Sequence, residues 1–123
     1  MAQIKLGKNI KISLGNTKSV RDWGYAPDYV YAMWLMLNAN IPADYVVATG
    51  NNYSVEELVK FAFDYIEMDC KDYLEFEDGF YRDSETIPLC GDSSKIEKEL
   101  DWKQSKTFRE IFAEMIEADL KYY

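Results

Sequence analysis

The sequence predicts a mixed α/β (α+β) domain, a small sheet of about three strands packed with about four helices. Three observations carry this reading: helical and strand periodicities alternate along the chain, two Ser/Thr-x-x-Glu capping boxes mark helix starts, and turn residues separate the segments. A chain of 123 residues, 48% hydrophobic and 15% aromatic, has apolar surface for one core and little room for a second. Residues 1–123 are therefore read as a single domain.

The elements follow in order. "NIKISL", residues 9–14, alternates polar and apolar side chains like a half-buried strand and ends at the turn pair Gly15-Asn16. Pro27 presets a helical φ and Asp28 sits at the positive end of the helix dipole, so a helix is predicted over 27–39 with Val30, Met33, Trp34 and Leu37 at helical spacing. "DYVVATG", residues 44–50, carries adjacent β-branched residues and reads as a buried strand leaving into Gly50-Asn51-Asn52. Ser54 and Glu57 form a capping box ahead of Val55, Leu58, Val59, Ala62 and Ile66. "DYLEFE", residues 72–77, reads as an edge strand closed by Asp78-Gly79. Asp92 is placed to cap a short helix with Ile96 and Leu100 inward. Thr107 and Glu110 form the second capping box, before Phe108, Ile111, Phe112, Met115 and Ile116.

Charge and composition remove several function classes. Fourteen basic against twenty-two acidic residues give a net charge of −8, a field that repels polyphosphate, so nucleic acid and anionic membrane are not expected partners. With no histidine and two cysteines, Cys70 and Cys90, the chain has no Ser-His-Asp or Cys-His triad and a poor donor set for zinc. No CxxC spacing and no secretory leader pattern accompanies the thiols, so free, reduced cysteines and a cytoplasmic location are expected. The apolar stretches fall short of the ~20 residues that span a bilayer. No three glycines have the spacing of a dinucleotide or P-loop fingerprint.

What chemistry remains lies in carboxylates and arginines. Asp22, Asp28, Glu56, Glu57, Glu75, Glu77 and Glu85 could supply an acid–base pair, although in so acidic a chain most of them read as a solvated face. Arg21 follows a strand and turn, and Arg82 lies in "FYRDSE" after the third strand. Guanidinium forks bind phosphate oxygens bidentately and keep their charge when partly buried, so a diphosphate is a sensible guest. Local pairing with Asp22 or Glu85 explains the same residues.

"SLGNTKSVRDWGYAPDYVYAMWLMLN" is similar to the segment "LGN…RDWGHAxDYVxAMWLML" of the GDP-mannose 4,6-dehydratases, members of the extended short-chain dehydrogenase/reductase family. The resemblance continues through "DYVVATGNNYSVEELVKFAF", "YRDSE" against the family's "YRPTE", and "GDSSKIEKELDWKQSKTFREIFAEMIEADL". It implies the fold of the family's carboxy-terminal, substrate-binding domain. It also implies that Arg21 and Arg82 approach a nucleotide diphosphate, Glu85 the ribose hydroxyls, and Asn16 the substrate cleft. Trp23, Met33, Trp34 and Met36 become packing residues, because in the full enzymes this helix lies close to the dinucleotide-binding domain. Tyr25 stands where the family has histidine, Asp83 where proline follows the arginine, and Ile87 where aspartate is usual.

The family's Gly-rich fingerprint, catalytic Thr/Ser and Glu, and Tyr-x-x-x-Lys pair have no counterpart among these residues. The resemblance therefore implies no catalytic residue, no metal and no cofactor in this chain, with NADP serving the full-length family and the Rossmann domain absent. The expected partners are a GDP-sugar, bound weakly, and either a second copy or a missing Rossmann-type half. Two other readings stand beside this one: a non-catalytic assembly or regulatory module that keeps the fold without nucleotide binding, and a carboxylate enzyme using Asp22 with Glu85.

Overall fold

The computed structural model describes residues 1–8, 10–76 and 89–123. In chain order its elements are α1 (Ala2–Lys5), β1 (Ile12–Leu14), β2 (Val20–Asp22), α2 (Ala26–Leu37), β3 (Asn52–Ser54), α3 (Val55–Tyr65), β4 (Leu74–Phe76), α4 (Ser94–Leu100) and α5 (Phe108–Tyr122). The mixed α/β class stands. Among the described residues the strands form two short pairs, β1 with β4 in parallel and β2 with β3 antiparallel, and the α-helices number five.

Both capping boxes form. Ser54 Oγ accepts the Glu57 N–H at 3.1 Å while Glu57 Oε2 accepts the Ser54 N–H at 2.7 Å, and Thr107 with Glu110 repeats the exchange at 3.4 and 2.7 Å. These reciprocal bonds satisfy donors that the first turn leaves unpaired. The β1–β2 connection completes the start of α3, since Ser19 O accepts the Val55 N–H at 3.0 Å and Thr17 O accepts that of Glu56 at 2.9 Å. The N-cap of the short helix is Ser93, without a side-chain capping bond; Asp92, expected to cap, stands one residue before it and accepts the Ser94 N–H through Oδ1 at 2.9 Å. Ile96 there is fully buried.

Two apolar clusters make the core. Ile4, Ala62, Phe63, Ile66 and Ile116 join α1, α3 and α5 beneath the β1–β4 pair, with Ile12 and Leu74 against them. Ala32, Ile96 and Trp102 join α2 to α4, with Leu35, Met36, Tyr45 and Val47 around them. An aromatic chain bridges the space beside β3: Trp23 meets Phe112 edge-on at 5.6 Å, Phe112 meets Phe108 at 4.8 Å, and Tyr53 stacks on Phe108 at 4.0 Å. Asp28 fastens the second cluster, since its carboxylate accepts the Ser105 N–H at 2.8 Å and hydroxyl at 2.7 Å, and its carbonyl accepts the Trp102 indole N–H at 2.8 Å.

Several sequence expectations need correction. Residues 44–50 form no strand among the described residues and are not buried throughout: Tyr45 and Val47 face the Trp102 cluster while Val46 is exposed. The β-branched run reports a half-buried surface, and here α2 and α4 supply that surface in place of strand neighbours. β2, β3, α1 and a 3₁₀ turn at Cys70–Asp72 were not anticipated. The apolar stripe of α2 faces outward. Val30, Met33, Trp34 and Leu37 are 64%, 57%, 56% and 86% exposed, whereas Asp28, Ala32, Leu35 and Met36 face the protein. Met33 and Trp34, expected to lie against a dinucleotide-binding domain in the full enzymes, are exposed in this chain, while Trp23 meets Phe112 and Met36 packs on the Trp102 cluster. Met115 on α5 is likewise exposed.

Candidate functional site

β2 holds the first of the expected site residues. Successive strand side chains point to opposite faces, so Arg21 and Asp22 diverge. Arg21 is exposed, lies opposite Tyr53 of β3 in the ladder, and donates through Nη1 to the Val20 carbonyl at 2.7 Å. The Asp22 carboxylate is turned to the 49–51 loop. Its Oδ2 accepts the N–H groups of Thr49 and Gly50 at 2.9 and 3.1 Å, and its Oδ1 accepts the Thr49 hydroxyl at 2.7 Å. Three donors on one carboxylate give Asp22 a structural occupation that an acid–base role would have to disrupt.

Asn16 sits in the β1–β2 connection, where its Oδ1 accepts the Lys18 N–H at 3.0 Å and its carbonyl accepts the Ser19 N–H at 3.3 Å. This Asx turn presents the Thr17 and Ser19 carbonyls to α3. Arg82 and Glu85 lie outside the described residues, as do Asp83 and Ile87. Asn16 and Arg21 are thus brought to the two ends of one connection.

A neighbour of each, and neither residue itself, lines a hollow. One of about 480 Å³ is lined by Tyr53, Phe61, Phe108 and Arg109 among others, and Tyr53 is the cross-strand neighbour of Arg21. The other, about 470 Å³, lies between the β1–β4 pair and α3, and Thr17 beside Asn16 contributes to its wall with Phe63 and Leu74. Periodicity had not marked Tyr53 or Thr17, because both acquire their place from strand pairing between distant segments.

Tyr29 and Gly24 tighten the bend after β2. A Cβ on Gly24 would stand 2.0 Å from the Tyr29 hydroxyl, so glycine is what permits this approach. Burial, then the charges of Asp22 and Asp28, push the Tyr29 hydroxyl above its ordinary pKa. Tyr25, at the N-cap of α2, lies with its ring 4.1 Å from Lys106 Nζ, which also pairs with Glu114.

The start of α3 is poorly matched to a dinucleotide. A nicotinamide dinucleotide needs free helix-terminal N–H groups for its pyrophosphate, but Val55, Glu56 and Glu57 of α3 already donate to Ser19, Thr17 and Ser54. The start of α3 therefore does not fit that group. Among the described residues no cluster of three metal-ligating side chains occurs, and no helix is long and apolar enough to cross a membrane.

The profile of the family described as GDP-mannose 4,6 dehydratase matches residues 1–115. The chain belongs to the GDP-mannose 4,6-dehydratase family. It is 42% identical over 121 residues to GDP-mannose 4,6 dehydratase 2 of Arabidopsis thaliana, which covers 98% of this chain and 32% of the relative. This member of the family therefore spans about a third of the length of such relatives. Its fold matches that of RMD from Pseudomonas aeruginosa, solved in complex with NADPH, with a TM-score of 0.83 at 19% identity over 99% of this chain and 40% of that one. It also matches UDP-glucose 4-epimerase with UDP-glucose from Thermotoga maritima, with a TM-score of 0.78 at 21% identity over 98% and 38% of the two chains. The dehydratase resemblance and the mixed α/β class are both borne out.

Proposed function

We propose that this chain is the nucleotide-sugar-binding portion of a GDP-mannose 4,6-dehydratase-like protein and does no chemistry by itself. The observation that carries the reading is Arg21: in a family member, the RDWG arginine stands exposed on β2, opposite Tyr53, which lines the hollow of about 480 Å³. A guanidinium so placed suits a diphosphate. Arg82 is assigned the second diphosphate contact, Glu85 the ribose hydroxyls and Asn16 the cleft wall. NADP belongs to the portion of the protein beyond this third, whose chemistry would be hydride transfer. This chain's contribution is to bind and orient the nucleotide.

Calorimetry with GDP at millimolar concentrations tests this. Weak binding is expected, reduced about tenfold in Arg21→Ala and again in Arg82→Ala, as for loss of a charge-assisted contact. Absence of binding, or binding indifferent to both substitutions, overturns it.

A second reading, an assembly module without nucleotide binding, is favoured by one observation, the exposed apolar stripe of α2. Both readings place protein over that stripe, either a second copy or the remaining part of a dehydratase. They part on GDP. A cytoplasmic setting is proposed for either.

A further inference from the structure

The carboxylate of Asp22 does more than fold its own loop. Thr49 Oγ1, having given its proton to Asp22, accepts the Asn51 N–H at 3.2 Å, and Gly50 takes the left-handed φ of +72° that turns the chain. The loop so shaped meets a third segment. Gly50 O accepts the Cys90 thiol at 3.4 Å, Asn52 Nδ2 donates to Leu89 O at 3.1 Å, and a Cβ on Gly91 would lie 2.4 Å from that of Ala48. Positions 48, 50 and 52 thus meet 91, 90 and 89 in reversed order, an antiparallel seat. Among the described residues neither stretch is assigned to a strand over 48–51 and 89–91. The β2–β3 ladder fixes Asn52, which lies opposite Asp22, and the bonds to the Asp22 carboxylate fix the loop at Thr49 and Gly50.

We propose that Asp22 is a positioning residue: its carboxylate shapes the 49–51 loop, which together with Asn52 of β3 forms a clasp that seats Leu89–Gly91 and so keeps this segment against the β2–β3 pair, which carries Arg21. The functional half of this inference rests on the nucleotide-binding reading above; the clasp itself does not. The carboxylate bonds Thr49 and Gly50, and Gly50 and Asn52 in turn bond Cys90 and Leu89, so it acts on this segment through the loop.

The test separates the two halves. Backbone amide resonances and heteronuclear relaxation are recorded for the full chain and for Asp22→Asn, with Thr49→Val as a milder variant that removes only the hydroxyl leg. The amides of Leu89, Cys90 and Gly91 are expected to shift and lose order in both, more in Asp22→Asn, while those of α3 and α5 stay in place. Movement confined to residues 49–51 in both variants overturns the clasp. GDP titration of the same samples reads the functional half: affinity is expected to fall about tenfold in Asp22→Asn, an amount typical of losing a charged group's hydrogen bonds. Unchanged affinity with a displaced 89–91 segment refutes positioning of the nucleotide site. A parent chain that binds no GDP refutes the nucleotide reading and leaves the clasp to be judged on the resonances.

Discussion

Gly91 and Gly24 are both crowded, and the atoms that crowd them differ in how freely they can move. At Gly91 an added methyl would meet the Cβ of buried Ala48 at 2.4 Å, an atom fixed to backbone, so two chain segments must part. At Gly24 it would meet the tip and ring edge of Tyr29, which can swing on its own side-chain torsions. Gly91→Ala is therefore expected to destabilise by about 1–3 kcal/mol, the usual cost of overpacking. Gly24→Ala should cost less, with urea unfolding as the measurement. Asp28 offers a polar counterpart. Asp28→Ala removes two charge-assisted bonds to Ser105 in a nearly buried place and is expected to cost about 2 kcal/mol. A loss of a few tenths would show that the Ser105 turn stands without it.

At the scale of elements, α3 and α5 share a pH-sensitive start. The Ser54 N–H, then its hydroxyl, holds Glu57 below the ordinary carboxylate pKa, and the Thr107 hydroxyl, then its N–H, does the same for Glu110. A carboxylate with a lowered folded-state pKa contributes stability that is fully present above its unfolded value, about 4.3, and disappears as pH falls through the folded value. Unfolding free energy is therefore expected to decline below about pH 4.3. Glu57→Gln with Glu110→Gln should flatten part of that decline. An identical acid limb in the double variant would assign the loss to other carboxylates. Asp92, lowered by the Ser94 N–H, adds to the same limb.

The whole molecule carries an apolar stripe that its own fold does not cover. Val30, Met33, Trp34, Leu37 and Ile41 recur at helical spacing along and just beyond α2, and Tyr31 stacks on Trp34 at 5.8 Å. Patches of this kind mark interaction surfaces. The isolated chain is expected to self-associate in sedimentation runs, and Leu37→Lys with Trp34→Ser to restore a monomer. A monomeric parent at high concentration contradicts this. The same preparation is expected to leave GDP-mannose unchanged at every pH. Turnover by the chain alone that vanishes in Glu85→Gln would establish the carboxylate enzyme instead.

The sequence by itself determined what depends on neighbours along the chain: the capping boxes at Ser54 and Thr107, the helical spacing of α2 and α5, and the motifs that carry the family resemblance. Those signals are local, because caps, periods and motifs are written within a few residues. Tertiary structure decided the rest. Which side of α2 faces the core was settled by Ala32 and Met36 meeting Trp102, since a helix apolar on every side has no amphipathic code to read. Whether residues 44–50 joined a ladder, that "VRD" and "NYS" would pair, and that Asp22 would serve a loop 27 positions away all turned on contacts between distant segments. Strand propensity and charge give no register for such contacts. Arg21 and Asp22 are adjacent in the sequence and look like a pair; the alternation of β2 sends them to opposite faces.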